Sequence, residues 1–235
     1  PSNPTVVETT IIDCLGTEAD PHRAFIFQSQ EGPDSIISGL TIENGYAPHA
    51  PVEGFASAGG AFLCMEASPT IMKCRIIRNY AAHTGGGIYC EASKPVIANC
   101  LFSLNIAQYA GAIYHRLSDS LIEDCRFIAN STNNNGSYCY AGAIANNVAS
   151  SPVIRRCSFI ENHSFGAGGA IRNEGSETNP IIQDCLFAKN EASDSGAGMH
   201  NYWDSQTTVT NCTFHQNIAS DGGGAICNRG GYHGA

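Results

Sequence analysis

Six segments of this chain align on one another without a gap: PTIMKCRIIRN from Pro69, PVIANCLFSLN from Pro95, SLIEDCRFIAN from Ser120, PVIRRCSFIEN from Pro152, PIIQDCLFAKN from Pro180 and TTVTNCTFHQN from Thr207. Their cysteines, Cys74, Cys100, Cys125, Cys157, Cys185 and Cys212, are 26, 25, 32, 28 and 27 residues apart. A second landmark, a glycine-alanine cluster closed by an apolar residue, ends at Ile88, Ile113, Ile144, Ile171, Met199 and Ile226, with spacings of 25, 31, 27, 28 and 27. Both series lengthen at the same step. A single insertion at residues 131–141, STNNNGSYCYA, accounts for both, so the repeat is one physical unit and it limits the fold to a stacked array.

Within each unit a short apolar run, a bend at the cysteine, a second run and a stop at Asn give a period with no helical pattern. The expected fold is all-β, a right-handed parallel β-helix solenoid of about 8–9 coils of roughly 25–28 residues, stacked about 4.8 Å apart into a rod about 40 Å long. Equivalent positions then form columns. Ile71, Ile97, Ile122, Ile154, Ile182 and Val209 form one inward ladder, and Ile76, Phe102, Phe127, Phe159, Phe187 and Phe214 another. Asn79, Asn105, Asn130, Asn162, Asn190 and Asn217 stand where the chain turns, each expected to adopt the left-handed conformation and to bond the next amide along the stack. Asn146, Asn173, Asn201 and Asn228 form a second such column. TTIIDCLG from Thr9 and SIISGLTIENG from Ser35 are degenerate copies, so residues 1–235 are expected to be a single β-helix domain. The chain opens in a strand-like segment with no capping helix and stops partway through a coil, which leads us to expect a fragment of a longer protein.

Composition narrows the function. A net charge of −9 with only 12 Lys and Arg offers no electrostatic footprint for nucleic acid. No apolar run approaches the roughly 18 residues of a membrane span, so no membrane insertion by this segment is expected. Eleven cysteines without one CxxC pair give no support for a zinc ribbon or a redox motif, and neither a metal nor another cofactor is expected.

The pairing of Phe-x-x-Asn, at Phe102–Asn105, Phe127–Asn130, Phe159–Asn162, Phe187–Asn190 and Phe214–Asn217, with Gly-Gly-Ala-Ile, ending at Ile171 and Ile226, resembles the repeats of the polymorphic outer-membrane protein adhesins. The ISGLTIENGYA stretch from Ile37 is similar to the opening coils of large secreted bacterial β-helix proteins of the pectate-lyase-like superfamily. These resemblances imply a secreted or cell-surface bacterial β-helix. They bring no activity with them, because the fold carries adhesins, lyases, hydrolases and epimerases alike.

Three groups of residues compete for a functional role. The six in-phase cysteines read as a small buried apolar column, with neighbouring sulfurs close enough for disulfides to be open; Cys139, in the insertion, is expected at an exposed position. Arg155 and Arg156 look catalytic in isolation, yet stacking sets Arg155 on Glu123 and places Arg156 between Asp124 and Asp184, which makes them structural rungs. The row after the glycine-alanine landmark, Leu63, Tyr89, Tyr114, Ala145, Arg172, His200 and Cys227, should face outward by alternation. With Tyr202 and Trp203 overhanging, Tyr89, Tyr114, Arg172 and His200 make a candidate carbohydrate-binding face. The first expectation is a non-catalytic structural or adhesive solenoid whose partners are a polysaccharide, a surface protein or further copies of itself end to end. The second is a lyase or epimerase acting on an acidic polysaccharide through Tyr114, Arg172 and His200.

Overall fold

Each repeat closes one turn of a parallel β-solenoid in four short strands, as in Ile171–Glu174, Ile181–Gln183, Leu186–Ala188 and Glu191–Ala192. The computed structural model describes residues 4–49, 55–134 and 139–230. Equivalent strands stack into four parallel sheets. Sheet I, of eight strands, holds Ile171–Glu174; sheet II, of seven, precedes the cysteines; sheet III, of eight, follows them; sheet IV, of seven, follows the asparagines. The solenoid has about eight turns, as the repeat count predicts. The fourth strand, only two residues long, is the element that the sequence pattern does not announce.

The inward ladders form as expected. Ile71, Ile97, Ile122, Ile154 and Ile182 are fully buried, as are Ile76, Phe102, Phe127, Phe159 and Phe187. From Phe102 to Phe214 the rings stack with centroids 4.9, 4.8, 4.8 and 4.6 Å apart and planes within 8° of parallel. The coil spacing is thus filled by aromatic contact, which is why one residue type recurs in the column.

The asparagine column works by a different geometry from the one expected. The left-handed residue is the one before each Asn: Arg78, Leu104, Ala129, Glu161, Lys189 and Gln216 all have φ between 52° and 58°. The Asn itself is turned inward, and its Nδ2 donates both to the next Asn Oδ1, at 2.9 Å from Asn105 to Asn130, and to a carbonyl of the preceding turn, at 2.8 Å to Ile76. The same Oδ1 accepts the backbone N–H, so the turn buries its polar groups without leaving them unpaired. The second column is also a ladder, Asn146 to Asn173 to Asn201 to Asn228 at 2.7, 2.8 and 2.7 Å. A third, of Ser93, Ser118 and Ser150 hydroxyls accepting turn N–H groups, was not anticipated.

All eleven cysteines are free thiols, so the disulfides left open by the spacing do not form. Each column Sγ donates instead to two carbonyls, Cys100 to Ala98 at 3.3 Å and to Ile71 at 3.6 Å. Cys139 is buried rather than exposed, its Sγ donating to the Asn133 carbonyl; residues 135–138 of the insertion lie outside the described residues. The arginine rungs form toward one side only. Arg155 and Arg156 both meet Glu123, and Arg156 meets Asp124, while Asp184 takes the Asn211 amide. The expected strand-like opening is corrected as well: Pro4–Thr9 form a short helix, α1, whose Val7 carbonyl accepts the Thr41 hydroxyl at 2.7 Å. It stands where the first turn would place a sheet II strand. None of the described helices is long and apolar enough to cross a membrane.

Candidate functional site

On the outer face of sheet I the row from Leu63 to Cys227 is in register on successive strands, as expected. Its exposure is not as expected. Leu63, Tyr89, Tyr114, Ala145 and His200 are buried, Tyr114 at 8%. The cause is a second layer, because the turn residues Ala58, Thr84, Tyr109 and Tyr140 pair in a ladder of their own and lie over the row. Glycine makes that overlay possible: a methyl on Gly85, at φ 63°, would stand 2.2 Å from the Ile88 carbonyl oxygen and 3.1 Å from the Tyr89 nitrogen, so only a residue without a side chain lets the turn lie on the row.

Tyr89 and Tyr114 belong to this dry part. Their rings stack at 5.8 Å; the Tyr89 hydroxyl donates to Glu91, and the Tyr114 hydroxyl accepts from Asn147 Nδ2 at 3.1 Å. Burial raises both phenols, Tyr114 to about 12. Neither is available to a ligand, and both leave the candidate face.

Farther along the same row the layer opens. Arg172, His200, Tyr202 and Trp203 come together with Tyr140, Glu174, Asp194, Asp221 and Arg229 around a cleft of about 990 Å³. The Arg172 guanidinium lies 3.9 Å from the Tyr140 ring centroid and 5.0 Å from that of Tyr202, and its Nη2 is 3.1 Å from Glu174. Two aromatic faces and a carboxylate therefore fix its direction. Arg229 is held by Asp221 at 2.7 Å and Asp194 at 3.5 Å. Trp203, in a left-handed turn at φ 56°, is 56% exposed and forms the open rim.

His200 lies at the floor, 2% exposed, its ring stacked on Tyr202 at 5.8 Å. Among the described residues neither ring nitrogen has a hydrogen-bond partner, nor has the fully buried Ser195 hydroxyl. Burial, then the charges of Arg172 and Arg229, hold the imidazole down at about 3, so it is neutral at pH 7. Of the six residues singled out from sequence, four meet here and two do not. Tyr140 and Arg229 were missed although both were findable, Tyr140 as the large residue just before the Ala-Gly-Ala-Ile landmark and Arg229 two places past Cys227.

A tempting alternative lies inside the solenoid, where Cys90, His115 and Asn146 sit side by side on adjacent strands of sheet I in the order of nucleophile, base and orienting amide. All three are buried. His115 Nδ1 meets Asn146 Oδ1 at 2.8 Å and its Nε2 meets Ser120 at 2.8 Å, so the ring ends the asparagine ladder. Because Asn146 Nδ2 is committed to Asn173, its Oδ1 can only accept, which places the hydrogen on His115 Nδ1. No substrate reaches this trio; it is core. Among the described residues no three His, Cys, Asp or Glu side chains converge to hold a metal ion.

One family matches the chain by comparison, over residues 2–233, and its description is "right handed beta helix region". No curated protein matches, and no solved structure matches.

Proposed function

Since the chain belongs to the right-handed β-helix family, whose fold carries no single activity, we propose from the cleft itself that this protein is a non-catalytic carbohydrate-binding solenoid taking a neutral glycan. The observation that carries the reading is the exposed Trp203 ring beside a rigidly held Arg172 and three carboxylates in one cleft. An aromatic face supports the apolar side of a pyranose, and fixed charged groups hydrogen-bond its hydroxyls. Charge selects neutral over acidic sugars. Arg172 and Arg229 face Glu174, Asp194 and Asp221, leaving the cleft at −1 on a chain of −9, a field that disfavours a uronate.

The lyase or epimerase alternative fits less well. A general base works best with a pKa near the working pH, and His200 is held near 3, while burial raises Tyr140. The repeats that resemble surface adhesins support placing the protein outside or on the surface of a bacterial cell, where the rod would display its cleft to polysaccharide.

Trp203 is the only tryptophan of the chain, so its fluorescence reports on this cleft. Titration with neutral oligosaccharides is expected to give a saturable change that weakens about tenfold in Arg172→Ala, the loss of a charge-assisted hydrogen bond. Absence of any saturable change, by fluorescence and by calorimetry, would defeat the proposal. So would new unsaturated sugar ends after incubation with acidic polysaccharides.

A further inference from the structure

Away from the cleft, the outer face of sheet II carries a pattern that the fold itself does not use. Thr70, Val96, Leu121, Val153, Ile181 and Thr208 stand in register on six successive strands, on the side opposite the buried isoleucine ladder. Alternation would make a solvent-facing row polar, yet its four central members are aliphatic. Val96, Leu121 and Val153 are half-buried by their neighbours in the sheet, and Ile181 is 37% exposed. They form an apolar stripe about 15 Å long at the usual spacing of strands.

The row reads alike in both directions, threonine at each end and four aliphatics between. A two-fold axis along the strand direction, passing between the strands of Leu121 and Val153, sets this face against the same face of a second copy with the coil order reversed. Leu121 then meets the second copy's Val153, Val96 its Ile181, and Thr70 its Thr208. In the next outward row the axis puts Glu123 opposite the second copy's Arg155 and Arg155 opposite its Glu123. At the bend Asp124 falls opposite Arg156 and Asn99 opposite Asp184, and on the other flank Asp119 falls opposite Ser151. Like charges are directly opposite at none of these positions. Glu123 is ready for a further donor, because the N–H groups of Arg155 and Arg156 that reach it, at 2.9, 2.7 and 2.9 Å, all fall on Oε2 and leave Oε1 to accept across the interface. The same operation fails on the other faces. On sheet III it sets Arg126 against Ser158 and Arg75 against Thr213, with no carboxylate across from either arginine, and on sheet IV it sets Ile106 against Glu191.

We propose that the outer face of sheet II is a self-association surface on which two copies of this chain pair side by side, coils running in opposite directions, as an isologous two-fold dimer. The contact differs from the end-to-end stacking expected from sequence, and it is independent of what the cleft on sheet I binds. Six strands at about 4.8 Å by six residues at about 3.3 Å give a footprint on the order of 500 Å² per copy, about 1,000 Å² in all, at the lower limit for a specific interface. The dimer is therefore weak and reversible. The stripe supplies the attraction, and the paired charges set the register.

Sedimentation velocity on the full chain, from micromolar to near-millimolar concentration, is expected to show a reversible step from one chain to two. Leu121→Lys, which places a charge in the stripe, is expected to weaken that step about tenfold or more. Glu123→Arg and Arg155→Glu are each expected to weaken it similarly, because like charges then face each other across the axis. Mixing those two variants is expected to restore a dimer containing one chain of each, since each carries the charges that the other lacks. The pair within each chain stays broken in the mixture, so restoration reads the interface alone. A chain that remains single at every concentration would overturn the proposal. So would a dimer indifferent to Leu121→Lys, which would point to another face, and so would a mixture that fails to associate. Thermal unfolding of each variant separates a lost fold from a lost contact, and Leu121→Lys stands as the test if a charge variant does not fold.

Discussion

Along the outer row of sheet I, one end of the row is dry and the other is a cleft. Leu63, Tyr89, Tyr114 and Ala145 are packed under Ala58, Ala110 and Ala141 as tightly as a core. Arg172 and His200 occupy the same row, with the Tyr140 ring over Arg172, a cavity in front and two unpartnered ring nitrogens on His200. Backbone register is unbroken across the boundary. The two ends therefore differ only in side chains, and the lesson is that a solenoid makes a site by leaving out packing on a scaffold whose hydrogen bonds are already complete.

If that contrast is right, the two ends should respond oppositely to truncation. Tyr114→Ala, in the dry end, is expected to lower stability by about 3 kcal/mol in urea unfolding, the low end for a buried aromatic, without touching ligand affinity. Arg172→Ala, two strands along, is expected to cost only about 1 kcal/mol and to weaken glycan binding about tenfold. Equal destabilisation by the two would erase the distinction.

Acid sharpens the comparison. The folded-state pKa of His200 is depressed from 6.5 to about 3, so between those values the unfolded chain takes up a proton that the folded chain does not. The contribution is intact above about pH 6.5 and is lost progressively as pH falls toward 3. Glu123 and Asp124, lowered by their arginine bonds from 4.5 and 3.8, act only further down. His200→Leu, which copies the residue at Leu63, is expected to flatten the loss of stability between pH 6.5 and 4.5; an unchanged slope in denaturant titrations would show that His200 is not shielded as described. Smallest of all, Trp203→Ala on the open rim should leave stability within about 0.5 kcal/mol while removing the optical signal and weakening binding.

The core was legible because each inward position is sampled once per turn under the same constraint, so Phe102, Phe127, Phe159 and Phe187 declare themselves by repetition. The site was half legible. Alternation correctly separated the outer row from the core but could not say what lay above it, because the covering layer comes from turn residues that have no periodicity of their own in sequence. Burial of Tyr89 and Tyr114 follows from Thr84 and Tyr109, residues that look like loop. The left-handed turn positions were displaced by one for a related reason: the asparagine side chain was assigned to the bend, whereas its amide is needed inside and its neighbour takes the strain. Helix α1 was missed because PTVVET is rich in β-branched residues, which favour strand, and its anchoring contact to Thr41 is distant in sequence.

Both asparagine ladders run the same way, each Nδ2 donating toward the following turn, and each is closed at its first member by a donor of another kind, the Gly45 N–H onto Asn79 and His115 onto Asn146. The molecule therefore has a grammar of direction as well as of period. A whole turn copied or excised in the same sense keeps every amide facing an acceptor, whereas one inserted backwards would set two NH2 groups against each other. Shortening, lengthening or moving the cleft along the rod is thus a matter of editing whole turns, with the asparagines as the marks at which to cut.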